Sequence, residues 1–291
     1  MKKLLTLLLA AAMTLSMAAC GSDATSSADA ASSGAASSAT TGASVDSASA
    51  SAPETADSDK VYVQKNGTLV IGITDFEPMD YKNENGEWIG FDADMAKAFA
   101  ESLGVTAEFV EIDWDNKIME LDGKTIDCVW NGMTLTPEVT SSMECSKAYC
   151  KNAQVVIVPK DVADQYQDAE SIKELSFAVE AGSAGEAEVS ALGASYTPVK
   201  AQSDALMEVA AGTSDAAVID LLMAAAMVGE GTGYADLTHT VELNSEEYGV
   251  GFRKGSDLAA ALNDFFAASY ADGTMMTTAE TYGVQAAVIA Q

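Results

Sequence analysis

Carboxylates dominate the side chains of this sequence that could do chemistry. Asp and Glu number 44 against 15 Lys and Arg, and the formal net charge is −29. A buried carboxylate can neutralise a bound cationic group or protonate a leaving group. The one histidine, His239, rules out a multi-histidine metal site, and a Ser-His-Asp triad would have to be built around it. We expect His239 to lie in a surface loop rather than to act as a catalytic base.

The same charge balance excludes two classes of partner. No basic footprint is available to neutralise the phosphates of a nucleic acid, and no basic face is available to lie on anionic lipid. The sequence has no Cys-x-x-Cys pair, so neither structural zinc nor thioredoxin-like redox chemistry is predicted. We therefore expect no metal and no cofactor.

Three polar positions stand where a strand pattern gives way to a loop or helix. Asp220 ends the apolar run 216–219, Asn131 follows the run 125–130, and Ser183 comes shortly after the run 175–180. In α/β folds, ligands bind outside the carboxyl ends of strands, where loops lead into helix N-termini. Each position also has a structural alternative. Asp220 and Ser183 could cap the helices that follow them, and Asn131 could belong to an ordinary turn.

The elements that must position these residues alternate between strand and helix patterns. Strands are predicted at 69–74, 107–112, 125–130, 153–158, 175–180, 216–219 and 247–253, and helices at 92–103, 114–121, from about 185, 205–212, 221–228 and 258–270. In 92–103 apolar residues recur at helical spacing, with Asp92 placed to cap the first turn and Gly104 to end the last. The alternation predicts an α/β fold with mostly parallel sheets.

The first 59 residues predict export and anchoring. Residues 1–20 combine two lysines, a short apolar stretch and small residues before Cys20, which is typical of a signal peptide. The end of this segment resembles a bacterial lipoprotein lipobox, although Met17 stands where leucine is usual. The resemblance implies that Cys20 is lipidated; the alternative is a plain secretory peptide with an incidental cysteine. Of the 39 residues in 21–59, 31 are Ala, Ser, Thr or Gly, which predicts a disordered tether.

Seven motifs, in order and at family spacing, resemble those of family 3 extracellular solute-binding proteins, the amino-acid receptors of ABC importers. They are TDFEP from Thr74, GFDADMAKA from Gly90, DCVWNGMTLTPE from Asp127, EAGS from Glu180, SDAAVID from Ser214, YGVGFRKG from Tyr248 and ADGT from Ala271. The resemblance covers 60–291. It implies a type II periplasmic-binding-protein-like fold, in which two α/β lobes are joined by two crossing strands near 154–158 and 248–252. Lobe 1 would be 60–153 plus 247–291, and lobe 2 would be 154–246.

The resemblance also implies how the protein would work and with what partners. A polar amino acid would bind between the lobes and shift the hinge population toward the closed form. The other partner would be an ABC permease in the membrane, which reads the closed form. We expect a monomer on the outer face of the cytoplasmic membrane, attached through its lipid anchor only.

The family's binding positions map onto nine residues of this sequence. Asp220 matches the aspartate that binds the ligand's ammonium, and Ser183 matches the lobe 2 donor to the carboxylate. The stretch that meets the ligand's polar end comprises Asn131, Gly132, Met133 and Thr134. Phe76 and Trp114 match positions that cradle the ligand's side chain, and Asp75 matches one that reads it. Either aromatic could instead be a core residue, and Trp130 could point to the core or the cleft.

One position departs from the family. Family members commonly place an arginine two residues after the proline of the Thr-Pro-Glu turn, where it holds the ligand's α-carboxylate; here that position is Val139. Arg253, in the last predicted strand, is expected to be a surface residue near the hinge. The carboxylate could be held by neutral donors such as Thr134, Ser183 or the Asn131 amide. Alternatively, the ligand could lack a standard carboxylate or carry extra positive charge, in which case Glu180 could face the cleft.

Three cysteines remain besides Cys20. Outside the membrane a disulfide is permitted, and Cys145 and Cys150 are the closest pair, so we consider a disulfide between them. Cys128, in a predicted strand beside the site, is expected to be a buried free thiol.

Two other classes of function stay open at this point. Some relatives of the family are dehydratases or carry a lytic-transglycosylase domain, and an acid in the cleft could protonate a leaving group. Alternatively, the chain could be a sensor module that presents its ligand to a receptor, which the sequence cannot distinguish from import.

Overall fold

The computed structural model describes residues 58–291, so the predictions for Cys20, the signal peptide and the tether as far as residue 57 lie outside the described residues. The strands are β1 (Thr68–Ile73), β2 (Tyr81–Lys82), β3 (Trp88–Ile89), β4 (Thr106–Glu111), β5 (Cys128–Thr134), β6 (Glu144–Cys145), β7 (Cys150–Asn152), β8 (Gln154–Pro159), β9 (Ser176–Glu180), β10 (Ser195–Val199), β11 (Ala216–Asp220), β12 (Leu237–Glu242) and β13 (Glu246–Phe252).

The helices alternate with these strands. They are α1 (Asp59–Asn66), α2 (Phe91–Ser102), α3 (Lys117–Asp122), α4 (Pro137–Ser142), α5 (Ala184–Leu192), α6 (Gln202–Ala211), α7 (Leu221–Met227), α8 (Leu258–Asp272) and α9 (Thr274–Thr281), with short 3-10 turns at Trp114–Asn116 and Ala163–Gln165. Folded structure starts slightly before the predicted end of the tether, because Ser58 caps α1 by accepting a hydrogen bond from the Val61 N–H. Within 58–291, no helix is both long and apolar enough to cross a membrane.

Two main sheets divide the described chain into two α/β lobes. The sheet of lobe 1 has the strand order β4-β1-β5-β13-β6, with β7 also pairing with β13. The sheet of lobe 2 has the order β10-β9-β11-β8-β12. In lobe 1 the pairs β1–β4 and β1–β5 are parallel, and in lobe 2 so are β9–β10 and β9–β11, while β8, β12 and β13 pair antiparallel. The prediction of mostly parallel sheets is confirmed for β1, β4 and β5 in lobe 1 and for β9, β10 and β11 in lobe 2. It is wrong for β8, β12 and β13, which pair antiparallel.

The chain passes between the sheets twice, and both passages come earlier than predicted. β7 belongs to lobe 1 and β8 to lobe 2, so the first passage is at Ala153. The second lies between β12 and β13, at 243–245. The segments 154–158 and 248–252, which we expected to cross, are instead full members of one sheet each.

Alternating residues of the central strands pack against helices on opposite faces of the sheets. In lobe 2, Val156 and Val158 of β8 belong to one buried cluster together with Val189 of α5. Their neighbours Val155 and Ile157 belong to another, together with residues of α6 and α7. Because both faces are covered, the strands read as continuous apolar runs, which is why they could be found from the sequence.

Several side chains lie elsewhere than expected. Trp130 is fully buried in the core against Phe99 and Phe266, which settles the open alternative. Arg253 is also buried rather than at the surface, and it pairs with Asp59 and Asp127. His239 is exposed as predicted, but it belongs to strand β12 rather than to a loop.

The cysteines of the described range are all free, so the disulfide considered between Cys145 and Cys150 is absent. Cys145 lies opposite Gly251 of β13 and Cys150 opposite Tyr248 of the same strand. Three residues along a strand separate them by about 10 Å, and bridged Cα atoms lie within about 7 Å of each other. Cys128 is a fully buried thiol, as expected.

Candidate functional site

A cavity of about 180 Å³ lies between the two lobes. This is about six times the share of volume that a water molecule takes in the liquid, enough for a small molecule. Lobe 1 contributes Trp114, Lys117, Asn131, Gly132, Met133, Thr134, Thr136, Pro137, Glu138 and Val139; lobe 2 contributes Gln154, Glu180, Gly182, Ser183, Ala184, Ala187, Gln202 and Asp220. Seven of the nine predicted site residues are therefore brought together here.

Asp220 is the last residue of β11 and is 3% exposed. Although it stands at the start of α7, its carboxylate does not cap that helix; the Asn152 side chain accepts from the Leu222 N–H instead. The Asp220 carboxylate accepts hydrogen bonds from the amides of Asn152, Gln154 and Gln202. The structure thus rejects the capping alternative.

A second carboxylate shares the donors of Asp220. Glu246, the first residue of β13, accepts hydrogen bonds from Asn152 at 2.7 Å, Gln154 at 2.8 Å and the Thr134 hydroxyl at 3.0 Å. Burial raises the pKa of Asp220 well above its ordinary value, and the nearby charge of Glu246 raises it further. A cation placed beside Asp220 would relieve both effects.

The Asn131 side chain is not available to a ligand. Its carbonyl oxygen accepts from the Thr74 N–H and hydroxyl at 2.9 Å each. Its amide donates to the Thr74 carbonyl at 3.0 Å and to the buried Asp80 carboxylate at 2.9 Å. All four hydrogen-bonding positions of the amide are filled. The Asn131 amide is therefore excluded as a neutral donor to the ligand's carboxylate.

The stretch 131–134 is the second half of strand β5 rather than a turn after it. Gly132 has φ +56°, and a Cβ there would lie 2.5 Å from the Phe76 ring, so only glycine fits. Its N–H donates at 2.7 Å to Asp92, whose carboxylate we expected to cap α2 but which is instead buried beneath β5. The Met133 side chain packs in the lobe 1 core, so that Met133 is 1% exposed.

Ser183 and its neighbours form the lobe 2 wall at the start of α5. The Ser183 hydroxyl accepts from the Glu186 N–H at 3.1 Å, and the Glu186 carboxylate accepts from the Gly182 N–H at 2.6 Å. Ser183 therefore caps the helix, as the structural alternative held. Its hydroxyl hydrogen remains available to a ligand, so the cap and the predicted binding role are compatible.

Lys117 reaches across the cleft from lobe 1. It begins α3, is 7% exposed, and donates at 3.1 Å to the Trp114 carbonyl and at 2.9 Å to the Gly182 carbonyl of lobe 2. Burial lowers the pKa of Lys117, and surrounding carboxylates, first among them Glu180, act in the opposite direction. The contact with Gly182 requires the two lobes to be close together.

Glu180 ends β9, the strand that pairs in parallel with β11, so its carboxylate stands near that of Asp220 at the same edge of the sheet. It is 2% exposed, and its Oε1 has no hydrogen-bond partner in the described part of the chain. Burial raises the pKa of Glu180 to about 8, against the opposing influence of hydrogen bonds and of Lys117. An acid with this pKa is protonated at neutral pH until a cation approaches it.

The family model for bacterial extracellular solute-binding proteins, family 3, matches residues 69–285. The chain belongs to this family. It is similar to the L-cystine-binding protein of Escherichia coli K12, being 27% identical over 224 residues, which are 76% of this chain and 84% of the relative. It is 29% identical over 272 residues to the arginine-binding extracellular protein of Bacillus subtilis 168, covering 90% of this chain and 91% of the relative.

A solved structure gives the same result for the fold of this family 3 protein. An ancestral amino acid-binding protein, a precursor of cyclohexadienyl dehydratase, matches with a TM-score of 0.71 and 32% identity over 77% of this chain and 99% of that one. The expected fold class, a type II periplasmic-binding-protein fold of two α/β lobes, is thereby confirmed.

Two predicted residues of this solute-binding protein do not line the cavity. Phe76 is 2% exposed and packs beneath Gly132 and edge-on to Tyr248, so it supports the floor of the site. Asp75 lies in a separate polar hollow with Glu111 and Lys200. Trp114 does line the cavity, with its ring centroid 5.0 Å from the Lys117 ammonium.

The missing arginine of this family 3 protein is not replaced by another. Arg253 is the only arginine in the chain, and its guanidinium is occupied by Asp59, Asp127 and the Ile126 carbonyl. Val139 forms an apolar part of the cavity wall. A guanidinium therefore does not reach the ligand cavity.

Sequence reasoning missed the amides and the lysine of the site. Gln154 could have been found, since it is the polar residue that opens an otherwise apolar strand, and it lies directly opposite Asp220 in the β8–β11 register. Gln202 and Lys117 are the first residues of α6 and α3, where a polar residue is ordinary and carries no signal.

Proposed function

We propose that this chain is the substrate-binding lipoprotein of an ABC importer, and that it binds a polar amino acid by closing its two lobes over it. The observation that carries the proposal is the placement of Asp220: a buried carboxylate, held by three amides, in the wall of a cavity to which both lobes contribute. The relatives named for binding cystine and arginine support an amino acid as the ligand.

The ammonium of the ligand would be placed against Asp220. Two amides donate to one of its carboxylate oxygens and one amide to the other, so the second oxygen can accept a further hydrogen bond. The ligand's polar end would then meet the Ser183 hydroxyl and the stretch 132–134. Within that stretch the Gly132 N–H and the Thr134 hydroxyl already donate to Asp92 and Glu246, so Ser183 has the free hydroxyl hydrogen. Trp114 would cover the aliphatic part of the ligand.

The lobes would be those predicted, 60–153 plus 247–291 and 154–246, except that Glu246 belongs to β13 and would therefore go with lobe 1. They would move about the two passages near 153 and 243–245. Because ligand contacts come from both lobes, they are complete only in the closed form, and binding would shift the population toward it. A permease could recognise that form. Cys20 would carry the lipid anchor, and 21–59 would give the lobes reach above the membrane.

A thermal-shift screen of the twenty common amino acids and L-cystine tests the proposal. A ligand that binds only the folded state with a Kd of about 1 μM stabilises it by about 4 kcal/mol at 1 mM. For a folded part of this size, that corresponds to a rise in Tm of roughly 10 °C. If no amino acid raises the Tm, the proposal fails.

Glu180 favours a second candidate, a dehydratase on the same scaffold. A buried carboxyl with a pKa of about 8 is protonated at neutral pH and could donate that proton to a leaving hydroxyl. The ancestral amino acid-binding protein that this fold resembles is a precursor of cyclohexadienyl dehydratase, so the scaffold is compatible with either role. Incubation with prephenate, followed by ultraviolet absorbance for an aromatic product, separates the two candidates: a receptor gives none.

A further inference from the structure

An amino acid bound in this cavity would bring a carboxylate into a buried space that has no arginine. The chain's one guanidinium is committed to Asp59 and Asp127 away from the cavity, and the Asn131 amide is filled by Thr74 and Asp80. A guanidinium and the Asn131 amide are thereby removed as partners for the carboxylate. Of the other neutral donors considered, the Thr134 hydroxyl already donates to Glu246, which leaves Ser183. A buried carboxylate without a strong partner would weaken binding severely.

Lys117 is the one cationic side chain among the described residues that line the cavity. An ammonium has three N–H donors, and two of those of Lys117 are directed at the carbonyls of Trp114 and Gly182. The third has no acceptor in the described part of the chain. The carboxylates of Glu180, Glu138, Asp115 and Glu186 surround the ammonium at longer range. No carboxylate of the described residues lies within 4 Å of it, so this buried cation forms no direct ion pair.

A buried cation whose carboxylates are all beyond direct contact gains less from them than from an anion at hydrogen-bonding distance. Neutral donors suited to the same anion stand beside it: the Gly182 carbonyl that Lys117 contacts immediately precedes Ser183, whose hydroxyl hydrogen is free and which opens α5. An anion at this point would meet an ammonium from lobe 1 and a helix start from lobe 2.

We propose that Lys117 binds the carboxylate of the ligand, in place of the arginine that Val139 replaces, and that this bond joins the two lobes through the ligand. The inference rests on the proposed function. The ligand then lies between opposite charges, with its carboxylate against Lys117 and its cationic groups toward Asp220 and Glu180. The free Oε1 of Glu180 fits the second of these roles.

The alternative is that Lys117 serves only as a latch between the lobes through its bond to Gly182. The two roles differ in what the ligand must offer. A latch stabilises the closed form for every ligand equally, whereas a carboxylate-binding residue discriminates between an acid and the corresponding uncharged amide.

The test uses the amino acid with the largest thermal shift in the screen and its carboxamide, for example L-arginine with L-argininamide, L-histidine with L-histidinamide, or L-cystine with its diamide. Calorimetric titration gives the Kd of each for the wild type, Lys117→Met and Lys117→Arg. Lys65→Met, which removes an exposed lysine of α1, is the matched control. Loss of one charge-assisted hydrogen bond corresponds to about 10- to 100-fold in affinity.

We expect the wild type, Lys65→Met and Lys117→Arg to prefer the acid over the amide by at least about tenfold, and Lys117→Met to lose that preference. If Lys117→Met keeps the preference, or weakens acid and amide equally, the assignment of Lys117 is wrong although the proposed function stands. If the wild type binds no amino acid, the proposed function itself fails. Should Lys117→Met not fold, Lys117→Gln is tested in its place, by the same ratio of the Kd for the amide to the Kd for the acid.

Discussion

Replacing Gly182 by alanine should hold the cleft partly open. Gly182 of lobe 2 has φ +71°, and a Cβ there would lie 2.6 Å from the Cα of Asp115 in lobe 1. Ordinary contact begins at 3.4 Å, so the lobes must move apart by roughly 0.8 Å at this point. The same movement would lengthen the 2.9 Å bond from Lys117 to the Gly182 carbonyl beyond hydrogen-bonding distance.

The expected loss of ligand affinity depends on whether each destabilising effect acts in the open form, the closed form or both. Alanine in the left-handed region costs about 1–2 kcal/mol in the open and the closed form alike, so it lowers stability without changing affinity. The clash with Asp115 exists only in the closed form. Losing the Lys117 bond there, worth about 1.5–3 kcal/mol, should weaken ligand binding by roughly 10- to 100-fold.

Gly193 provides a matched control, because it has φ +72° and nothing within 4 Å of its Cβ position. Urea unfolding of the ligand-free variants should show a similar loss of stability for Gly182→Ala and Gly193→Ala. Calorimetric titration with the best amino acid from the screen should show weaker binding for Gly182→Ala alone. Wild-type affinity in Gly182→Ala would refute the proposed closure of the two lobes over the ligand.

Two further predictions concern a buried acid and the anchor. The folded-state pKa of Glu180, about 8, lies above the ordinary value of 4.5, so its favourable contribution is full below pH 4.5 and is lost as the pH rises through 8. Glu180→Gln should therefore stabilise the ligand-free protein by a few kcal/mol at pH 9 but little at pH 5, as urea unfolding at both pH values would measure; an equal effect at both would contradict the burial argument. Cys20→Ser should release the protein from membranes in cell fractionation, and its continued retention there would refute lipid anchoring.

The sequence predicted the strand-to-helix units well, because strands covered on both faces are continuous apolar runs. It failed where a strand lies at an edge. The residues of β10 are mostly exposed and include Pro198, so nothing in 195–199 marks a strand. β12 has exposed residues as well, so the pattern around His239 resembles that of a loop.

The site shows the same division. Asp220 and Ser183 could be found because they follow recognisable strands and match a family position. That the Asn131 side chain is fully hydrogen-bonded could not be predicted, because its four hydrogen bonds go to Thr74 and Asp80, which are more than 50 residues away. Asp92 looked like a helix cap at the start of α2, yet long-range bonds from Gly132 and Tyr149 take its carboxylate into the core. Local sequence gives the position of such a residue, and only the fold decides what its side chain contacts.

In the proposed function, the carboxylate of Asp220 neutralises the positive end of a bound amino acid. Calorimetric titration of Asp220→Ala, beside the control Asp264→Ala at an exposed site, tests this role most directly. We predict that Asp220→Ala lowers the affinity for the ligand by more than about 2 kcal/mol, or roughly 30-fold, while Asp264→Ala binds as the wild type does. Unchanged affinity in a folded Asp220→Ala variant would contradict the claim.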